Sequence, residues 1–172
     1  GPVQVTMFPA LIPDDHVLAN VSDVYNGILV RGDVVGDTLY YGQGAGQDAT
    51  ASAVLSDIGD AVLDLAHGTT ERMKAFNSHE ANGAVRLIDE VTSCYYLRLT
   101  VLDRPGVLAK VSTILAKNKI GISSVIQPEG HEGKSVPLIL MLHYARNGAM
   151  TRALKGISKL AAVKAKPVMI RV

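Results

Sequence analysis

The spacing of apolar residues changes at one turn, and this change constrains the fold of the chain more than any other feature. Between Tyr95 and Leu102, apolar residues are dense enough for a largely buried strand. Over residues 107–115 they recur with helical spacing. The turn between them reads Asp103-Arg104-Pro105-Gly106, and proline suits a first helical turn because its missing N–H has no partner to lose there. The sequence therefore predicts a strand that passes directly into a helix.

The start of this predicted helix combines free backbone N–H groups with the carboxylate of Asp103. A small zwitterion needs both, because its carboxylate can accept from N-terminal N–H groups while its ammonium pairs with an acid. An acid near a helix start is more often a cap than a ligand contact. The turn therefore supports two interpretations, a capped helix and a receptor for a free amino acid.

Length and charge exclude several classes of function. The chain has 172 residues, enough for one large or two small domains, and its 48% hydrophobic content supports a core. A net charge of +1 gives no electrostatic footprint for nucleic acid or an anionic membrane. No apolar run approaches the about 20 residues of a membrane helix, and no signal segment is visible. We therefore expect no nucleic-acid or membrane partner. The start at Gly1-Pro2 without methionine is typical of a tag remnant on a fragment.

Cysteine and histidine usage argues against a metal site. Cys94 is the only cysteine, so the chain can form neither an intrachain disulfide nor a cysteine-based metal cluster. The five histidines show no paired ligand spacing: His16, His67, His79, His131 and His143. We expect no metal ion, and a reducing, cytoplasmic setting fits best.

The second half of the chain has a countable order of predicted elements. After the strand at Tyr95–Leu102 and the helix at about 107–118 come strands at 120–127 and 136–143, a helix from Asn147 and a strand at 168–172. The residues from Pro128 to Lys134 read as a hairpin loop. The order β-α-β-β-α-β predicts an α+β fold of ferredoxin-like type, with one helical layer on one antiparallel sheet.

The first half of the chain is strand-rich and cut by tight turns. Strands are predicted at 3–8, 24–30 and 38–41, followed by a glycine-rich loop at 42–50 and a helix at 51–66. The loop invites a phosphate-binding interpretation, but its glycine spacing does not fit the dinucleotide fingerprint. A turn with Asp48 or Thr50 as the helix cap is favoured. The predicted domains are 1–66 and 91–172, joined by a polar linker at 67–90.

Residues 102–111, with 120–127 after them, resemble an ACT domain, the amino-acid-sensing module of biosynthetic enzymes. The resemblance implies an effector between the loop after the first strand and the second strand, often at a dimer interface. It places these residues at the effector: Asp103, Gly106, Val107, Leu108, Ile122, Ser123 and Gln127. Asp103 would hold the ammonium, the N–H groups of Gly106 and Val107 the carboxylate, and Ser123 or Gln127 a side-chain hydroxyl. Ser123 and Gln127 are equally typical of exposed polar positions on a sheet. Gly106 has a second interpretation, relief of crowding between helix and strand.

Several short motifs of the first half come in the order of homoserine dehydrogenase: Pro9–Pro13, Leu18–Val21, Tyr25–Ile28, Gly32–Gly36, Tyr41–Gly46 and Thr50–Val54. This resemblance, to the end of the catalytic region, implies NAD(P)-dependent reduction of aspartate semialdehyde to homoserine. It implies that Gly44, Ala45, Gly46 and Thr50 lie against the cofactor in the full-length enzyme. Gln43 stands where relatives often have a basic residue. The family's nucleotide-binding domain and catalytic residues lie upstream, so we assign no catalytic residue and expect this chain alone to be inactive and to bind no cofactor.

Three functional hypotheses follow. The first is a regulatory part of a homoserine dehydrogenase that senses threonine and dimerises through the ACT domain, since pairing two sheets satisfies an exposed edge strand. The second is an enzyme in its own right, with His67, His79 or Asp103 as acid or base, although no nucleophile–base pair is visible. The third is a purely structural dimerisation module with an empty sensor.

Overall fold

The structure is a computed structural model that describes residues 3–69, 85–128 and 134–172. The described residues form two compact units. One contains residues 12–69, and the other contains residues 3–11 together with 85–128 and 134–172. The predicted linker at 67–90 and the predicted hairpin loop at 128–134 fall largely outside the described residues, as does His79.

The unit at residues 12–69 consists of a short 3-10 helix, a hairpin and a long helix. The 3-10 helix is Val17–Asn20, the strands are β1 (Tyr25–Gly32) and β2 (Gly36–Gln43), and the helix is α1 (Gln47–His67). The strands pair antiparallel from Tyr25↔Gln43 to Gly32↔Gly36. Both predicted strands and the predicted helix are confirmed.

Side-chain contacts reinforce the hairpin at both ends. The rings of Tyr25 and Tyr41 stack with centroids 5.0 Å apart. Near the turn, Arg31 donates two hydrogen bonds to the Asp37 carboxylate, at 2.7 and 2.8 Å. The guanidinium lowers the pKa of Asp37, chiefly through this hydrogen bonding. All of these groups are exposed, and no residue among 12–69 is buried.

The start of α1 differs from the prediction. The N-cap is Gly46, with φ +122°, and no side chain caps the helix. Asp48 and Thr50 already lie inside the helix, so the prediction that one of them caps it is wrong. The hydroxyl of Thr50 instead donates back to the Gly46 carbonyl at 2.8 Å.

The other unit contains the predicted ferredoxin-like layer. After a 3-10 turn at Ile88–Glu90 come β3 (Thr92–Leu102), α2 (Val107–Lys117), β4 (Ile122–Ile126), β5 (Ser135–Arg146), α3 (Asn147–Ile157) and β6 (Val168–Arg171). The sheet order is β4-β5-β3-β6, with every pair antiparallel. The predicted β-α-β-β-α-β order is confirmed.

The core of this unit lies between the sheet and its two helices. Alternate residues of β3 and β5 point toward the helices, as the period of two in a strand requires. The fully buried large side chains include Tyr95, Leu97, Leu99, Leu115, Leu138, Leu140, Met150 and Ile157. This packing holds the end of β3 and the start of α2 in a fixed relation.

Residues 3–11 do not form the strand predicted at Val3–Phe8. They make two isolated parallel bridges, Val3 to Val85 and Ala10 to Arg171. The N–H of Leu11 donates to the Arg171 carbonyl at 3.0 Å, so this end of the segment lies along β6. The prediction of a continuous strand is wrong because the alternating pattern does not distinguish a strand from an extended segment with few ladder bonds.

Candidate amino-acid-binding site

A pocket of about 450 Å³ opens where β3 passes into α2. Its size falls within the range of about 300–1,000 Å³ for small-molecule sites. It is lined by Val101, Leu102, Asp103, Arg104, Pro105, Gly106, Val107, Leu108, Gln127 and Leu138. Five of the seven residues predicted to contact an effector therefore line one cavity.

Asp103 is held in place from two sides. Its backbone N–H donates to the Lys134 carbonyl at 2.8 Å. Its carboxylate oxygen Oδ1 accepts a hydrogen bond from Nε2 of Gln127 at 2.9 Å. Gln127 directly follows β4, so this bond joins the loop after β3 to the end of the next strand. Among the described residues, no cation forms an ion pair with Asp103.

The first turn of α2 supplies backbone donors beside this carboxylate. Gly106 is the N-cap, at φ +83°, and no side chain caps the helix. The N–H of Val107 already donates to the Arg104 carbonyl at 3.3 Å. Within the described part of the chain, the N–H groups of Gly106 and Leu108 have no backbone or side-chain acceptor. Asp103 does not cap α2, so the helix start keeps free donors.

Gly106 is required for its backbone conformation. A φ of +83° lies in the left-handed region, which strains residues that have a Cβ. A Cβ added at this position would meet no atom within 4 Å. The interpretation that Gly106 relieves crowding between helix and strand is therefore wrong.

The two other predicted effector contacts lie outside the pocket lining. Ile122 is half-buried and packs against the core, and Ser123 is exposed at the bulge of β4. Arg104 and Pro105 line the pocket although sequence reasoning did not assign them a contact. Leu138 was also missed, because its position depends on the register that pairs it with Leu99.

The glycine-rich loop of the unit at residues 12–69 makes several hydrogen bonds within that unit. The N–H groups of Gly44 and Ala45 both donate to the Val24 carbonyl, at 3.1 and 3.3 Å. A Cβ on Gly44 would collide with the side chain of Asn26. Thr50 lies one turn into α1, with its hydroxyl bonded to the Gly46 carbonyl. These internal contacts explain the conformation of the loop without a cofactor, and the cofactor contact stays a prediction.

The described residues offer neither a metal-binding cluster nor a membrane-spanning helix. No group of three or more histidine, cysteine or acidic side chains among them is arranged to hold a metal ion. None of their helices combines the length and apolarity needed to cross a membrane.

Comparison with known proteins gives two family matches. Residues 2–58 match the family model for homoserine dehydrogenase, and residues 95–158 match that for the ACT domain. The chain matches the C-terminal part of homoserine dehydrogenase, ACT domain included. It is 39% identical to the homoserine dehydrogenase of Pseudomonas aeruginosa over 98% of its own length and 40% of the relative's. For the Helicobacter pylori enzyme the values are 36%, 98% and 39%.

A solved structure agrees. The crystal structure of a homoserine dehydrogenase from Thiobacillus denitrificans matches with a TM-score of 0.85 and 37% identity, over 98% of this chain and 38% of that one. The chain thus spans about two fifths of the length of its homoserine dehydrogenase relatives. The resemblances noted from the motifs are confirmed, and the ACT match falls on the unit that contains the pocket.

Proposed function

We propose that the pocket at the start of α2 binds a free amino acid, threonine, and that this binding regulates a homoserine dehydrogenase of which the chain is a part. One observation carries the proposal. A carboxylate held by a neighbouring strand and two unpaired backbone N–H groups line the same small cavity. ACT domains bind amino-acid effectors, which agrees with this chemistry.

The charged groups of an amino acid match the groups of the site. Oδ2 of Asp103 is available for the ammonium, while Oδ1 stays bonded to Gln127. The carboxylate is assigned to the N–H groups of Gly106 and Leu108, where the helix dipole also favours negative charge. The predicted donor Val107 contributes by exchanging its 3.3 Å bond to Arg104.

Gln127 and the apolar wall account for the choice of threonine. Oε1 of Gln127 is an acceptor for the threonine hydroxyl while Nε2 holds Asp103. Leu102 and Leu108, which line the pocket and keep accessible surface, supply an apolar surface for the methyl group. A site that hydrogen-bonds a hydroxyl discriminates against ligands that lack it, because its polar group is then left unpaired.

The proposal extends to the whole protein through the resemblance. Its activity would be NAD(P)-dependent reduction of aspartate semialdehyde to homoserine in the cytoplasm, with Gly44, Ala45, Gly46 and Thr50 beside the cofactor. It would form a homodimer through the ACT domain, whose edge strand β4 is exposed and brings Ile122 and Ser123 to that interface. Regulation requires that threonine bind one arrangement of the protein more tightly than another.

Calorimetry with threonine, isoleucine, methionine and lysine tests the site directly. We expect threonine to bind, and Asp103→Ala to weaken its affinity by about ten- to a hundredfold, since a hydrogen bond to a charged group is lost. Asp60→Ala, which removes an exposed acid on α1, is the matched control and should leave the affinity unchanged. Amide NMR spectra of both variants should show an intact fold.

Unchanged threonine affinity in the folded Asp103→Ala variant would refute the proposed site. If none of the four amino acids binds, the sensing role is refuted, and the hypothesis of a structural dimerisation module with an empty sensor is favoured. A steady-state assay with cofactor and homoserine addresses the remaining hypothesis, because turnover by this chain alone would show that it is an enzyme in its own right.

A further inference from the structure

Arg171, at the end of β6, is a charged side chain in an unusual position. It is 8% exposed and is the one buried polar or charged residue among those described. No acid among those residues forms an ion pair with it. Burying a charge without a counterion is unfavourable unless other contacts compensate. The neighbours of Arg171 should therefore compensate for its buried charge.

Those neighbours come from the ACT layer and from the segment at residues 8–11. Nη2 of Arg171 donates to Oδ1 of Asn147, the first residue of α3, at 3.1 Å. Its guanidinium carbon lies 4.3 Å from the centre of the Phe8 ring, a cation–π contact. Its backbone carbonyl accepts from the N–H of Leu11 at 3.0 Å. We call the contacts of Arg171 with Phe8, Ala10 and Leu11 the Arg171 anchor.

The anchor leaves two polar atoms unpaired in the interior. Neither Nη1 of Arg171 nor the hydroxyl of Tyr95, both buried, has a hydrogen-bond partner. Burial raises the pKa of Tyr95, and the nearby Arg171 guanidinium partly opposes that shift. Unpaired buried groups cost free energy, so the Arg171 anchor is less stable than a fully paired site would be.

The segment that the anchor holds belongs, by sequence, to the other part of the protein. Residues 2–58 match the homoserine dehydrogenase family model, yet residues 3–11 are packed in the unit with the ACT domain. Leu11 is followed directly by Ile12, the first residue of the other unit. Leu11 therefore joins the anchor covalently to the first residue of that unit.

Strand β3 connects the anchor to the pocket. One end of β3 pairs Tyr95 with Arg171, and its other end continues into Leu102 and Asp103 of the pocket. The chain before β6 is bonded to the pocket end as well, since the N–H of Leu102 donates to the Ala162 carbonyl at 2.8 Å. A ligand that orders the pocket end of β3 thus acts on the strand that positions Arg171.

We propose that the Arg171 anchor is the coupling element through which effector binding at the pocket reaches the homoserine dehydrogenase part of the chain. This inference rests on the proposed function, because it requires an effector. Residues 8–11 add an extended segment to the edge of the ACT sheet, beside β6. Few contacts hold this segment, so a small change in them alters how firmly it is bound. Threonine binding tightens the attachment, and loss of the effector loosens it.

Hydrogen exchange of the Leu11 amide, followed by NMR with and without saturating threonine, tests the coupling. In the unaltered chain, threonine should slow exchange by about fivefold or more, the lower range of allosteric couplings. Phe8→Ala, which removes a 40% exposed ring, should speed exchange and abolish the response to threonine. Met7→Ala is the control, because Met7 is fully exposed and makes no contact with Arg171 among those described.

The outcomes separate this inference from the proposed function. Coupling between threonine binding and attachment of the segment is reciprocal. Threonine affinity in Phe8→Ala should therefore weaken by no more than the factor by which threonine slows Leu11 exchange in the unaltered chain. If calorimetry shows threonine binding but the Leu11 amide does not respond in the unaltered chain, the coupling role is refuted and the site stands. An equal response in Phe8→Ala and Met7→Ala would also refute it. If calorimetry shows no binding by any amino acid tested, both proposals fail.

Discussion

The two units of this chain differ in how much of their apolar surface they bury. The unit with the ACT domain contains all 18 buried hydrophobic residues of the described chain, whereas residues 12–69 contain none. On helix α1, Ile58 is 53% exposed and Leu65 is 72% exposed. The difference shows that helical spacing of apolar residues does not by itself produce a hydrophobic core. The apolar face of a helix must also pack against a second apolar surface.

In the ACT unit, each element supplies the surface that its neighbour needs. The inward residues of β3 and β5 lie opposite one another, as Leu99 and Leu138 do, and α2 and α3 cover both. The apolar residues of α1 have no such cover within the described chain. An exposed apolar surface of this kind is typical of a face that packs against further protein.

Truncation of one leucine in each unit should give the largest contrast. Leu97→Ala removes a fully buried side chain and should lower the free energy of unfolding by about 2–5 kcal/mol, because it leaves a cavity. Leu65→Ala makes the same chemical change on α1 and should alter it by less than about 0.5 kcal/mol. Urea denaturation measures both, followed by amide signals of β3 for Leu97→Ala and of α1 for Leu65→Ala. Equal effects would contradict the contrast between the units.

A buried hydroxyl offers a smaller test within the ACT core. Tyr95→Phe removes a hydroxyl that has no hydrogen-bond partner, so stability near pH 7 should change by less than about 1 kcal/mol. Burial raises the pKa of Tyr95 in the folded state, so folding favours the protonated hydroxyl. The free energy of unfolding is therefore unaffected by this group below the unfolded pKa of about 10, and it falls as the pH rises from there through the folded pKa.

The measurement is urea denaturation between pH 8 and pH 11. Tyr95→Phe should reduce the loss of stability at the alkaline end, while Tyr96→Phe, on the half-buried neighbour, should retain it. An identical alkaline loss in both variants would mean that Tyr95 does not cause it.

The smallest effect is expected at the exposed ion pair of the hairpin. Arg31 lowers the pKa of Asp37, so the pair stabilises the hairpin above the pKa of an unfolded aspartate and ceases to do so as the pH falls through the lowered folded value. Asp37→Asn should slightly reduce hairpin population at pH 7 and remove its response to acid and salt. The amide shifts of β1 and β2 report that population, and Asp33→Asn, in the turn, is the control. A larger loss in Asp33→Asn would contradict this assignment.

Local signals predicted most of the ACT unit. The switch from strand to helical spacing at Pro105 marks the start of α2 correctly, and turn residues mark the order of the six elements. The free N–H of Gly106 agrees with the short motif, whereas the N–H of Val107, which the motif also assigned to the ligand, is bonded to the Arg104 carbonyl. Periodicity therefore suffices where an element packs on its neighbours in sequence.

Features that depend on distant residues were not predictable. The bond between Gln127 and Asp103 requires the end of β4 to reach the loop after β3, and Leu138 joins the pocket through strand register. The attachment of residues 8–11 to Arg171 spans 160 positions of sequence, and no local pattern marks it. The helix cap at Gly46 was missed because a glycine with positive φ leaves no side-chain signal.

The placement of residues 3–11 has a consequence for modularity. A gene segment cut between the two family matches would separate Phe8 and Leu11 from the strand that holds them. An ACT domain moved to another protein without residues 3–11 would leave the Arg171 guanidinium uncovered by Phe8 and the edge of β6 without its added segment. Transfer of this domain between proteins should therefore preserve its packing only when residues 8–11 move together with β6.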